Sequence, residues 1–159
     1  MPSDNNTQPS PITDPSSVRR LYRLIHDIYV QLDDGDRRVL ESFGLSSAQF
    51  AVLMMLDEQS GNRITTLSER LLRAKSTITR LVDGLENAGL VKRIDDQEDR
   101  RALNVILTSE GSELRHQAES AHQRSLERRL AALPEADRYA LEELLKSLRI
   151  GLHVELQKR

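Results

Sequence analysis

The 159-residue chain has no cysteine. That single absence removes disulfides, thiolate nucleophiles, cysteine-based zinc sites and thiol redox sensing. No apolar run reaches the roughly 18 residues that a membrane-spanning helix needs, so no membrane partner is expected. The N-terminus lacks the basic-then-apolar order of an export signal, which makes the cytoplasm the expected location. There is no glycine-rich phosphate loop and no HExxH. The four histidines, His26, His116, His122 and His153, form no i, i+3 or i, i+4 pair; His116 and His122, six apart, sit about 240° apart around a helix. Glu135 and Asp137 read as first-turn acids that suit a helix dipole, not as a catalytic pair. No catalytic set, metal site or cofactor is therefore expected, and the chain is not read as an enzyme.

Charge is the next deficit. The formal net charge is −2, which by itself argues mildly against a nucleic-acid partner. Its distribution argues the other way. Between Arg70 and Arg93 lie six basic residues (Arg70, Arg73, Lys75, Arg80, Lys92, Arg93) and two acids, Asp83 and Glu86. Aromatic residues are only 3% of the chain, which disfavours a surface built for protein partners.

Residues 1–17 hold four of the five prolines and almost no large aliphatic side chain. Such a segment buries too little apolar surface to offset its ordering entropy and reads as a disordered tail. From Val18 the spacing turns helical, with Leu21, Tyr22, Ile25, Ile28, Tyr29 and Leu32 in one stripe. After Gly44, Ser46 and Gln49 form a capping box for a second helix, apolar all round through Leu56 and so expected at the centre. Thr66 to Glu69 reads as another box, opening a short helix through Leu72. A break at Arg73-Ala74 precedes a helix from Lys75 to Ala88, closed by Gly89. Leu90–Ile94 and Ala102–Leu107 are β-type runs, the second with Leu103, Val105 and Leu107 alternating on one face. Thr108 reads as the N-cap of a long helix with Leu114, Ala118, Ala121 and Leu130 on its apolar side. Pro134 suits the first position of a last helix carrying Leu141, Leu144, Leu145, Leu148 and Leu152.

Two helices joined by a tight turn, then a strand, a polar tip and a returning strand, is the layout of a winged helix-turn-helix. The helix from Lys75 is the candidate reader. Ile78, Leu81, Val82 and Leu85 form its buried stripe; Ser76, Thr77, Thr79, Arg80 and Asp83 face away. Short hydroxyl residues and an arginine near a helix N-terminus suit phosphate contact and the O6/N7 edge of guanine in a major groove. Any amphipathic surface helix can show such a face. At the tip, Arg100 and Arg101 could reach a minor groove, with Asp99 holding Arg101 in one geometry; on composition alone a solvated charged hairpin accounts for the tip.

The stretch from Ile64 to Gly111 resembles the MarR family (multiple antibiotic resistance regulators). The matching segments are Leu67-Ser68-Glu69-Arg70-Leu71, Ser76 to Asp83, Leu85 to Val91, Asp96-Gln97-Glu98-Asp99-Arg100-Arg101-Ala102, and Leu107-Thr108-Ser109-Glu110-Gly111. The helical flanks agree in length and order, so the resemblance covers roughly Val18 to the end.

What the resemblance implies is a mostly α fold with a small β-hairpin wing: a winged helix-turn-helix over 45–108, flanked by dimerisation helices over 18–43 and 109–159, all one domain from 18 to 159. It implies a homodimer on double-stranded DNA, usually repressing palindromic operators and often released by a small aromatic or phenolic effector. Ser76, Thr77, Thr79 and Arg80 would face the major groove, Arg73 and Lys75 the DNA backbone, and Asp99, Arg100 and Arg101 would form the wing. An effector pocket would be expected where the second helix meets the dimerisation helices, with Tyr22, His26, Met54 and Met55 in its lining. The chain departs from the family pattern at Leu72 and Ala74, where a glycine and an N-capping serine are usual, and at Gln97, usually proline. The rival reading is a winged helix used only as a protein-interaction module. The arginine-bearing reader face and the Asp-Arg-Arg wing favour DNA.

Overall fold

The computed structural model describes residues 15–96 and 102–158. In chain order the elements are α1 (Pro15–Glu41), α2 (Ser47–Leu53), β1 (Asn62–Arg63), α3 (Ile64–Arg70), α4 (Lys75–Asn87), β2 (Val91–Asp95), β3 (Leu103–Leu107), α5 (Ser109–Leu130) and α6 (Glu135–Leu156). The fold is mostly helical with one three-stranded antiparallel sheet in the order β1-β3-β2. Helix α1 starts at Pro15, three residues before the helical start expected at Val18; proline fits a helix's first turn because its missing N–H would be unpaired there anyway.

The core lies between the central helices and the sheet. Val52 and Leu53 of α2, Leu67 of α3, Ile78, Val82 and Leu85 of α4, and Val105 of β3 are all fully buried. The Ser46 capping box forms as the sequence predicts: the Ser46 hydroxyl accepts from the Gln49 N–H at 3.2 Å while Gln49 Oε1 accepts from the Ser46 N–H at 3.0 Å. The Thr108 cap forms too, accepting from the Gly111 N–H at 3.0 Å.

Three expectations need correction. The short helix α3 begins at Ile64, not at Thr66, and its N-cap residue Arg63 supplies no side-chain cap. Its start is set by β1, because Asn62 and Arg63 pair with Val105 and Asn104 and hold the chain extended up to Arg63. On β3 the alternation fails at its outer end: Leu103 is exposed while Val105, Ile106 and Leu107 are all buried. Ile106 is covered beside the loop that precedes β1, where a Cβ on Gly61 would strike the Val105 carbonyl and the Ile106 side chain. Pro134 is the N-cap residue of α6, not its first helical residue.

That loop is held by Asp57, which accepts from the N–H groups of Gln59, Ser60 and Gly61 at 2.7–2.9 Å and from the Ser60 hydroxyl at 2.8 Å. These bonds keep the Asp57 carboxyl far below the usual carboxylate range, led by the Gly61 N–H. The Asp57 carbonyl in turn accepts from the Leu107 N–H at 2.7 Å, fastening the loop to β3.

The outer helices are built differently. Leu40 is the only buried residue of α1, and α6 has none. In α5, Ala118 is fully buried but Leu130 is exposed, so the inward side expected of this helix fades toward its end. One polar joint ties α1 to α5. Arg129 donates to the Leu32 carbonyl at 2.9 Å and to Asp36 at 2.6 Å; His122 Nε2 lies 3.0 Å from the same Asp36 oxygen, its ring tilted against Phe50 with centroids 5.4 Å apart.

Candidate nucleic-acid interface

The turn between α3 and α4 aims the second helix. After Leu71 the backbone turns back at Leu72, whose φ of 51° lies in the left-handed region that favours glycine. Leu72 N–H bonds the Glu69 carbonyl at 3.3 Å, and Arg73 N–H the Ser68 carbonyl at 3.1 Å. The Ser68 hydroxyl donates to the Arg73 carbonyl at 2.7 Å and locks the turn. Hydrogen bonds thus hold a leucine in a glycine conformation while its side chain stands almost wholly in solvent, at 92% exposure. Ala74 is the N-cap residue of α4 and makes no side-chain cap. The departures at Leu72 and Ala74 are therefore structural: a strained turn and an uncapped helix start.

On α4, Ile78, Val82 and Leu85 are fully buried, with Leu81 partly buried against the core. Ser76 and Arg80 stand exposed on the opposite side, as do Arg73 and Lys75 at the helix start. Thr77 and Thr79 are half-buried. The Thr79 hydroxyl donates to the Lys75 carbonyl at 2.9 Å, so its proton is spent inside the helix and only its lone pairs are left to offer. Sequence reasoning had no way to see that commitment.

The local positive field is sharper than the residue count suggested. Arg93 pairs with both acids of the stretch, Asp83 at 2.6 Å and Glu86. Arg70, Arg73, Lys75, Arg80 and Lys92 form no ion pair with another described residue. Among the described residues the cations at the start of α4 are thus left to meet an anion, while the acids at its far end are occupied.

Asp99, Arg100 and Arg101, and Gln97 with them, lie outside the described residues. The base of the hairpin is described. Asp96, just past the end of the first wing strand, is buried at 8% exposure. It takes the Arg63 Nε–H at 2.9 Å, and its N–H bonds the Ala102 carbonyl at 3.0 Å. The pair bolts the wing base to the start of α3. A cleft of about 380 Å³ runs beside it, lined by Arg63, Ile64, Thr65, Lys75, Ala102 and Leu103, between the start of α4 and the wing.

Three of the four residues expected around an effector stand exposed. Tyr22 and His26 are exposed on α1, Met54 is exposed just past α2, and Met55 is half-buried against the core. Four clefts are lined by other side chains, and no group of three or more His, Asp or Glu among the described residues is placed to hold a metal. No helix among the described residues is long and apolar enough to cross a membrane.

Comparison with known proteins places this geometry. Residues 45–103 match the MarR family model. The transcriptional regulator YfiV of Bacillus subtilis, itself uncharacterized, is 30% identical over 134 residues, covering 84% of this chain and 83% of its own. Over other curated relatives, one of them named as a repressor, the chain spans about half of their length. Among solved structures, AbsC, a MarR family transcriptional regulator of Streptomyces coelicolor, aligns with a TM-score of 0.76 at 27% identity, over 85% of this chain and 93% of its own. CouR of Rhodococcus jostii RHA1, solved with p-coumaroyl-CoA bound, aligns with a TM-score of 0.70 at 27% identity, over 79% and 88%. Fold, element order and sequence agree: this chain belongs to the MarR family of transcription regulators.

Proposed function

We propose that the protein is a sequence-specific DNA-binding regulator that works as a homodimer, represses from palindromic operators and is released by a small-molecule effector. The observation that carries this reading is the start of α4, where Arg73, Lys75, Ser76 and Arg80 are all exposed and the three cations have no acidic partner among the described residues. Arg80 is the base reader, able to give a bidentate pair to guanine; Ser76 and Thr77 supply shorter contacts, and Thr79 can only accept through its hydroxyl. Arg73 and Lys75 take phosphates. Arg100 and Arg101 enter the adjacent minor groove, with Asp99 orienting Arg101.

Residues 45–108 make up the reading unit, and 18–43 with 109–159 join two copies. What supports dimerisation is the exposed apolar side of α1 and α6, far more than scattered single residues would leave. The effector proposal has two supports: CouR holds p-coumaroyl-CoA, and Tyr22, His26 and Met54 stand exposed on one chain, where a second copy could enclose them with Met55. A small aromatic or phenolic compound suits such a lining. Release follows if it favours a dimer with a different spacing of the two α4 helices, limited by its differential affinity for the two states.

The test is binding to a footprinted duplex from the protein's own promoter. Affinity falls steeply with salt as bound cations displace counterions, and Arg80→Ala costs about 1–3 kcal/mol while relaxing specificity at one position. A flat salt dependence, or equal affinity for random duplex, contradicts the reading.

A further inference from the structure

We infer that Arg93, on the first wing strand, is a positioning residue of the DNA-reading unit: it makes no DNA contact itself and acts by holding and neutralising Asp83 and Glu86 of the reader helix. The inference rests on the DNA-binding reading above.

Asp83 and Glu86 are spaced i, i+3, so they share a side of α4. Both are part-exposed, at 50% and 37% of their side chains. A helix laid along a groove brings such carboxylates within one Debye length, about 8–10 Å, of the phosphate backbone, where salt screens them poorly. Left alone, they would oppose the same helix that Arg73, Lys75 and Arg80 draw toward DNA.

Arg93 is placed to cancel them. Gly89, at φ +72°, turns the chain after α4 so that β2 returns beside the helix end. The Leu90 N–H bonds the Leu85 carbonyl at 2.9 Å in that turn. Arg93 is paired in register with Val105, a fully buried residue of the central strand, so the sheet fixes its backbone. One guanidinium nitrogen donates to Asp83 at 2.6 Å and the other pairs with Glu86; the Arg93 backbone N–H also reaches Glu86, at 3.3 Å. The two arms of the fork are spent on two acids, a task a lysine's point charge would do for only one. The Arg93 side chain is only 22% exposed, less than either acid, so the helix covers it. Lys92 beside it is exposed and unpaired among the described residues, which makes it the strand's candidate phosphate contact instead. The same bridge joins α4 to the wing, so reader and hairpin meet DNA as one body.

The test is a mutant cycle on a duplex that the wild-type protein enriches from a randomised library, at several salt concentrations. R93Q in the wild-type background is expected to lower affinity at least about tenfold, with the slope of log affinity against log salt unchanged, because no phosphate contact is lost. In the D83N/E86Q background the same change should matter less than about threefold, because nothing is left to neutralise. Equal losses in both backgrounds, or a slope smaller by about one phosphate, would make Arg93 a direct DNA contact and overturn the inference. If thermal unfolding shows R93Q unfolded, R93K is compared in both backgrounds: a loss in the wild-type background only supports the inference, and equal effects overturn it. Failure of the wild-type chain to enrich any duplex would overturn the DNA reading and this inference together; the coupling results bear on Arg93 alone.

Discussion

The reading unit and the C-terminal helix both carry leucine at helical spacing and use it in opposite ways. In the unit from α2 to β3, Leu53, Leu67 and Leu85 are fully enclosed by residues of the same chain. In α6, Leu141, Leu144, Leu145, Leu148 and Leu152 keep the i, i+3, i+4, i+7, i+11 seam of a packed helix, yet each is at least 38% exposed. Periodicity states that a helix has an apolar face; it does not state whose surface covers that face. The first region is covered within one copy; the apolar face of the second is left exposed there.

The comparison can be broken most sharply at the seam. Leu145→Asp combined with Leu148→Asp places two charges where the proposed dimer is driest and should weaken dimerisation about 1000-fold, roughly 4 kcal/mol. Sedimentation at micromolar protein would then show monomers, with the helical content of the reading unit retained. Leu85→Ala does the reverse. It opens a cavity inside one copy and should cost about 3 kcal/mol of folding stability, read from denaturant midpoints, with the seam unchanged. A seam variant that stays dimeric would mean that α6 packs elsewhere.

Two smaller effects sharpen the picture inside the reading unit. Asp57 holds four donors, and its carboxyl is depressed by them. A depressed carboxylate contributes stability that is present above its unfolded value, about 3.9, and is lost as pH falls through the folded one. Asp57→Ala should therefore lower the Tm at neutral pH, with the gap to wild type closing below about pH 4. Leu72→Gly should act the other way. It removes a left-handed leucine that buries almost nothing, and should stabilise by about 0.5–1 kcal/mol after the added freedom of the unfolded chain is subtracted. No rise in Tm would show that the Leu72 turn is unstrained.

These cases also mark what the sequence made legible. The reader helix, its closing Gly89, the Ser46 box, the Thr108 cap and the two wing strands were readable because each rests on neighbours close in the chain. What escaped depends on partners far away. Strand β1 is two residues with no alternation of its own, called into being by β3. Its pairing displaced the start of α3 from Thr66 to Ile64, although Thr66 and Glu69 satisfy the capping pattern. The burial of Asp96 depends on Arg63, 33 residues earlier, which no local pattern announces. Arg93 counted as a free cation until β2 folded back onto α4.

The most direct test of the account is half-site spacing. If two copies joined through α1 and α6 present two α4 helices to one duplex, the half-sites must lie about one helical turn apart, roughly 34–36 Å. Fluorescence anisotropy on the selected duplex, with and without about half a turn inserted between its half-sites, reads this directly. The account predicts that the insertion lowers affinity at least tenfold while each half-site keeps its weak single-site binding. Equal affinity for both duplexes would mean that the two reader helices are not held at a fixed spacing by a dimer, and would contradict the account.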